Sequence, residues 1–353
     1  MPTQFYHLVA FLISGLVVLL TTPIVKKIGL KSGRVDLPNG RKVHQHPMVR
    51  LGGVSIFLGT LIALLVVWRA GGFGILPPAK DYEIWGVAIG GICFFLIGLA
   101  DDLFNLSPFT RLLTQVMVAT FAWNAGVQIE FLTIPFAHGS LVALPDWVSL
   151  PITVTWLVGM ANAINWIDGL DGLAAGVSGI AAVTMLIVSL FVNRPEAGLI
   201  AAALAGGLLA FLRYNFNPAQ IFMGDGGAYF VGFVLAGVGV IGLVKSVTTA
   251  AVLLPYLILA VPILDMSAVI IDRLRCGKSP FKADKRHLHH RLLNAGLSHR
   301  LTVIFIYSLT LWVGTLALAL SGMPSGVAYV VGATALLSYT GWQVRKHARQ
   351  QGS

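Results

Sequence analysis

Apolar runs of about 20 residues, parted by short polar stretches, recur along almost the whole 353-residue chain, and ~20 residues is what a helix needs to cross a bilayer. The pattern predicts eleven spans, near 5–24, 51–68, 84–100, 110–126, 147–161, 172–192, 197–213, 228–243, 250–271, 302–321 and 325–342. A soluble helical protein would not repeat this run length so often. The first run does not read as a cleaved signal peptide, because its basic residues follow the apolar stretch and no small-residue cleavage site stands out. No low-complexity linker or internal repeat divides the chain. The expected fold is therefore one all-α polytopic membrane domain over residues 1–353. Ser107 and Pro108 fit the N-cap and first position of the fourth helix.

The pattern is broken most sharply at "NAINWIDGLDGLAAG", where Asn162, Asn165, Asp168 and Asp171 stand three residues apart. Steps of three residues turn about 300° on a helix, so the four drift over half its circumference. They are expected to line one wall of a cleft. Polar bonding between helices is the plainer reading for the asparagines, but it is a poor one for two charged groups.

Charge then orients the chain. Lys and Arg number 24 against 14 Asp and Glu, a net charge of +10. Twenty of the basic residues fall on one side of the predicted spans, chiefly in loops 25–50 and 272–301 and in the tail 343–353, and four on the other. The positive-inside rule makes the rich side cytoplasmic, with the N-terminus outside and the C-terminus inside. Anionic headgroups and an anionic substrate account for the charge without a nucleic-acid partner. Cys93 and Cys276 form no CxxC and suggest no disulfide framework.

The carboxylates sharpen the picture. Asp101, Asp102, Asp168, Asp171 and Asp225 gather from three separate turns at the inner membrane edge, and Asp265 and Asp272 lie in and at the end of span nine. Ionisable groups at such depth are usually functional. Adjacent Asp101 and Asp102 would repel each other, which a hard divalent cation, Mg²⁺ or Mn²⁺, would relieve. Asp225 sits in "FMGDGG", and Phe222 could offer a flat face to a base, although apolar contact is the plainer reading. "KADKRHLHHRL" sets His287, His289 and His290 among Lys282, Lys285, Arg286 and Arg291. Those basic neighbours disfavour zinc and suit phosphate, while a solvated basic loop is the alternative. If the segment is helical, His287 and His290 share a face and His289 points elsewhere. "GRKVHQHPMVRLGG", with Arg41, Lys42, His44, His46 and Arg50, carries the same two readings. Acidic groups for a cation beside basic groups for phosphate suggest phosphoryl chemistry between a cytosolic and a membrane reactant. An ion-coupled transporter is the competing class, but it should place its groups near the midplane.

In order, "LADDLFNL", "NAINWIDGLDGLAAG", "IFMGDGGA" and "DKRHLHHRLLNAGLSHR" resemble the signature motifs of the polyprenyl-phosphate N-acetylhexosamine-1-phosphate transferases. This is the WecA/MraY-type glycosyltransferase 4 family, and "HLHHRLL" resembles its bacterial WecA/TagO-like branch. The resemblance covers roughly residues 34–300, and "RKVHQHPMVRLGG" looks like the family's first cytoplasmic loop. It implies a multi-pass enzyme of the bacterial inner membrane whose active site faces the cytoplasm. Such an enzyme moves a sugar 1-phosphate from a UDP-N-acetylhexosamine, most often UDP-GlcNAc, to undecaprenyl phosphate, releasing UMP. It also implies Mg²⁺, which Mn²⁺ can replace, near Asp101, Asp102 and Asp225. Catalytic duty would fall to Asp101, Asp102, Asp168, Asp171 and His290. Asn162, Asn165, Phe222, Arg50, His44, His287, His289 and Arg291 would bind substrate, Phe222 by stacking the uracil. Membrane lipids and a homodimer complete the expected partners. One departure is Ala228, where many members carry Ser, and another UDP-amino sugar is the alternative donor.

Overall fold

The computed structural model describes residues 3–33, 35–36, 48–75, 81–133, 141–244, 249–277 and 286–351. A helix covers each of the eleven predicted segments. In order the elements are α1 (Thr3–Lys31), β1 (Val35–Asp36), β2 (Met48–Val49), α2 (Gly53–Arg69), α3 (Asp81–Phe104), α4 (Pro108–Asn124), β3 (Phe131–Thr133), β4 (Leu141–Ala143), α5 (Asp146–Ile167), α6 (Leu173–Phe191) and α7 (Pro195–Asn215). After these come α8 (Gly224–Val238), α9 (Thr249–Ile258), α10 (Ala260–Arg275), the short α11 (Leu288–Asn294), α12 (His299–Leu320) and α13 (Gly326–Gln351). Among the described residues, seven helices are long and apolar enough to cross a membrane by length and composition: α1, α3, α5, α6, α7, α8 with its π-helical extension, and α12.

Two details depart from the expected pattern. The ninth apolar run is two helices, α9 and α10, meeting at Leu259. Among the described residues, the chain also adds two small antiparallel ribbons to the helices. β1 pairs Val35 with Val49, and β3 pairs Phe131 with Ala143. Helix α4 begins as its sequence predicts: Pro108 opens it, and the Ser107 hydroxyl accepts the Thr110 N–H at 3.1 Å.

The core forms around α8, whose apolar window is 94% buried against 28% for α1. Phe94 of α3 stacks on Phe233 of α8 at 4.5 Å, and Trp156 of α5 donates its indole N–H to the Ala236 carbonyl of α8 at 3.1 Å. The approach of α3 to α8 depends on a missing side chain. A Cβ on Gly98 would lie 2.4 Å from the Asp225 carbonyl oxygen. This contact brings the C-terminal turn of α3 beside the N-terminal turn of α8, and so sets Asp101 and Asp102 next to Asp225.

Candidate active site

Helix ends build the acidic group. Asp102 accepts the Gly226 N–H of α8 at 3.0 Å through Oδ2, an arrangement favoured at a helix N-terminus. Asp225 accepts from Asn165 Nδ2 at 2.9 Å and from Arg50 Nη2 at 3.3 Å. Arg50 also lies 4.0 Å from Asp102, so one guanidinium stands between two carboxylates, with its side chain still half exposed. Backbone pairing fixes its place. Phe222 N–H donates to Val49 O, and Gly52 and Gly53 N–H donate to Phe222 O and Met223 O, all within 2.9 Å. The backbone of the half-buried Phe222 is thereby tied to the segment that carries Arg50.

Asp101 is held differently. Arg111 of α4 donates to its Oδ2 and the Leu106 N–H to its Oδ1, at 2.5 and 2.8 Å. Arg111, 3.4 Å from the Tyr229 hydroxyl, counts in the sequence only as one more inner cation. Nothing in the local pattern assigns it to Asp101.

The four-residue polar beat divides. Asn165 joins the acidic group through Asp225, and Asp168 caps α5 beside it. Burial pushes the Asp168 carboxyl up to about 7 against the lowering pull of Arg50, with Asp225, Asp102 and Asp171 adding to the rise. Asn162 instead donates to Gln115 of α4 and to the Val158 carbonyl. Asp171 accepts from Asn217 Nδ2 and the Ala219 N–H at 2.9 and 3.0 Å, and Arg300 donates to the Asn217 carbonyl at 3.0 Å. A single wall of four residues is therefore not what forms. Asn162 turns toward α4 from within α5, whereas the helix ends at Ile167 and Asp171 lies in the turn that follows.

The histidine segment also differs from expectation. His287 has extended backbone, ψ 151°, and serves as the N-cap of α11, so the helical spacing rule does not reach it. His289 is the ring that turns inward, 2% exposed, and lies parallel to the His287 ring at 5.7 Å. It packs on the backbone of the "DGLDG" turn, where a Cβ on Gly169 would come 2.5 Å from its Nε2. Burial, with His290 and His287 alongside, lowers the His289 imidazole to about 3. His290 is half buried against His289 at 4.3 Å. Arg291 lines a cavity of about 440 Å³ between α10 and α11 together with Asp272, Arg286 and Asn294. Asp265, a buried carboxylate of α10 with no role visible in the sequence, accepts from His287 Nδ1 and the Leu288 N–H. His44, with Arg41, Lys42, Lys282 and Lys285, lies outside the described residues.

A hard divalent cation fits part of this arrangement. Oδ1 of Asp102 is buried without a hydrogen-bond partner, and the Asp225 carboxylate stands near enough to repel it. Both oxygens of Asp101 are already engaged, and among the described residues no three metal-capable side chains converge. Two carboxylates are enough for Mg²⁺, which keeps waters and substrate phosphates as its other ligands.

Comparison with known proteins agrees on one kind of protein. Residues 84–243 match the model of glycosyl transferase family 4. A probable undecaprenyl-phosphate N-acetylglucosaminyl 1-phosphate transferase of Bacillus subtilis is 39% identical over 300 residues, covering 85% of this chain and 80% of that protein. A decaprenyl-phosphate N-acetylglucosaminephosphotransferase of Mycolicibacterium smegmatis is 33% identical over 350 residues, 92% of this chain and 83% of its own. An undecaprenyl-phosphate alpha-N-acetylglucosaminyl 1-phosphate transferase of Salmonella typhi is 29% identical, over 80% of this chain and 75% of its own.

Proposed function

The chain belongs to glycosyl transferase family 4, in its WecA-type branch, and from that membership we propose that it transfers GlcNAc-1-phosphate from UDP-GlcNAc to a polyprenyl phosphate. Undecaprenyl phosphate is the proposed acceptor. The observation that carries the reading is the meeting of Asp102, Asp225, Asp168, Asn165 and Arg50 at one end of a membrane helix bundle. All eleven apolar segments cross a bacterial plasma membrane in this proposal. The site end, which carries Arg50, Arg111 and Arg300, faces the cytoplasm.

In the reaction, a phosphate oxygen of the lipid attacks the β-phosphorus of the donor. The bond from that phosphorus to the bridging oxygen breaks, and UMP leaves with the electron pair. A phosphate monoester has a second pKa of about 6, so the lipid phosphate is mostly a dianion at neutral pH and needs little help from a base. Direct in-line attack follows. Asp101 is a weak candidate for a covalent nucleophile, since both of its oxygens are bound. Its place is to orient Arg111 toward the incoming lipid phosphate. Arg50, fixed by its backbone and held between Asp102 and Asp225, meets the donor phosphates. Phe222 takes the uracil face. Asp102 and Asp225 would hold Mg²⁺, which when bound neutralises charge on the diphosphate and the departing UMP.

The test is UMP release in detergent from UDP-GlcNAc, UDP-GalNAc and UDP-MurNAc-pentapeptide, with and without polyprenyl phosphate. Lipid-dependent release from UDP-GlcNAc is expected. Preference for another amino sugar would move the donor assignment. No release from any donor, with ion-coupled uptake in vesicles, would return the chain to the transporter class.

A further inference from the structure

Asp265 lies on α10 with 8% of its surface exposed, away from the acidic group. Both of its oxygens are committed to the start of α11. Oδ1 accepts the Leu288 N–H at 2.7 Å, and Oδ2 lies 2.8 Å from His287 Nδ1. The backbone amide can only donate, so the carboxylate is pinned in orientation before the histidine is considered. An ionised carboxylate can only accept. The proton of a neutral His287 ring therefore belongs on Nδ1.

The ring is held on its faces as well. Trp166, which follows Asn165 at the end of α5, meets it edge-on at 6.0 Å, and His289 lies parallel to it with an interplanar angle of 8°. His287 Nε2 makes no hydrogen bond to any described residue. A histidine whose one nitrogen donates to a carboxylate, and whose other nitrogen is uncommitted, presents a defined tautomer at that second atom.

We propose that Asp265 is a positioning residue: it fixes His287 with its proton on Nδ1, so that Nε2 accepts a hydrogen bond from a hydroxyl or amide N–H of the aminosugar. The assignment rests on the transferase reading above. It gives the histidine segment a different task from phosphate binding, because a bare Nε2 cannot donate to a phosphate oxygen. It also gives the intramembrane carboxylate of the ninth apolar run a reason to be there.

The experiment uses the full chain in detergent, with ¹⁵N-labelled histidine assigned by the difference from His287→Gln. At pH 8 the wild-type spectrum is expected to show His287 with Nδ1 protonated and Nε2 bare. Asp265→Asn keeps an oxygen for the Leu288 N–H but turns an NH₂ toward Nδ1, which should move the proton to Nε2. The same variant should raise KM for UDP-GlcNAc at least tenfold, with a melting temperature close to wild type and a much smaller change in kcat. Asp265→Ala, which also uncaps α11, should lose stability in addition. The proposal is overturned if wild-type His287 carries its proton on Nε2 or on both nitrogens. It is equally overturned if Asp265→Asn inverts the tautomer and leaves KM unchanged, or raises KM without inverting it. Failure of the wild-type chain to release UMP from any donor would instead count against the transferase reading, and the tautomer measurement would still decide the role of Asp265.

Discussion

The acidic group and the histidine segment are both clusters of ionisable side chains at one end of the bundle, yet they are built on opposite terms. Asp102 and Asp225 are brought together by helix ends with one guanidinium between them and a buried oxygen left unmatched. The histidine segment is closed on itself. His287 is paired with Asp265, and His289 is kept neutral by burial against the Gly169 turn. The first arrangement is completed by a cation or by substrate, whereas the second has its Asp265–His287 pair already made and leaves His287 Nε2 for substrate. Incompleteness held on rigid elements is what electrostatic catalysis requires, since the groups need not reorganise when charge develops.

The largest effect should come from the incomplete side. Asp225→Asn keeps shape and removes charge, and kcat is expected to fall by roughly 10²–10³ with the melting temperature held. EDTA should abolish turnover and Mg²⁺ or Mn²⁺ restore it. Full activity in chelator, or a folded Asp225→Asn enzyme at wild-type rate, would put the two regions on the same footing.

Next come the two glycines that set each region in place. A Cβ on Gly98 would strike a backbone carbonyl, whereas one on Gly169 would strike the end of a histidine side chain. Gly98→Val should cost about 1–3 kcal/mol or more by overpacking and lower activity through the fold. Gly169→Ala should be milder in stability and show mainly in KM for the UDP-sugar, because a ring can shift where a backbone cannot. Thermal melts and kinetics on both variants measure the difference, and equal losses would contradict it.

A chemical contrast follows. If neither region supplies a covalent nucleophile, enzyme with UDP-GlcNAc and Mg²⁺ but no lipid should release no stoichiometric UMP. A labelled phospho-sugar trapped on an aspartate would overturn direct attack.

The smallest effect is on stability in acid. His289 is held neutral in the fold down to about 3, while an unfolded histidine takes up a proton near its ordinary 6.5. The unfolded chain therefore binds more protons between these values, and stability falls as pH drops through that window. By pH 5 the loss amounts to roughly 2 kcal/mol. His289→Gln should flatten the dependence of melting temperature on pH between 6.5 and 5, and an unchanged slope would assign the acid lability elsewhere.

These contrasts also show which features the chain makes legible. Helix positions follow from run length, and the polar motifs stand out because charge is costly inside an apolar run, so the segments that meet at the candidate site could be picked out directly. Partner choice could not. Arg50 meets Asp225 across 175 positions and His287 meets Asp265 across 22, and no local periodicity encodes such pairs. Arg111 and Asp265 were visible as charges but not as partners. The polar beat divides for a related reason: α5 ends at Ile167, so only Asn162 and Asn165 keep helical spacing, and the neighbours they reach depend on how helices pack. The helical spacing rule does not reach the first histidine, because His287 precedes α11 as its N-cap rather than belonging to it.

The near-complete enclosure of α8 bears on how the protein is made. This helix carries Asp225 and would be a poor guest in lipid by itself. Synthesis runs from the N-terminus, so α3 and α5 leave the ribosome before it. The groups that donate to its carboxylate, Arg50 and Asn165, precede it in the chain, as does Asp102, which accepts the Gly226 N–H of its first turn. When α8 enters the membrane, a polar berth from earlier segments already exists. Chain order thus acts as a chaperone for the residue that would be hardest to insert.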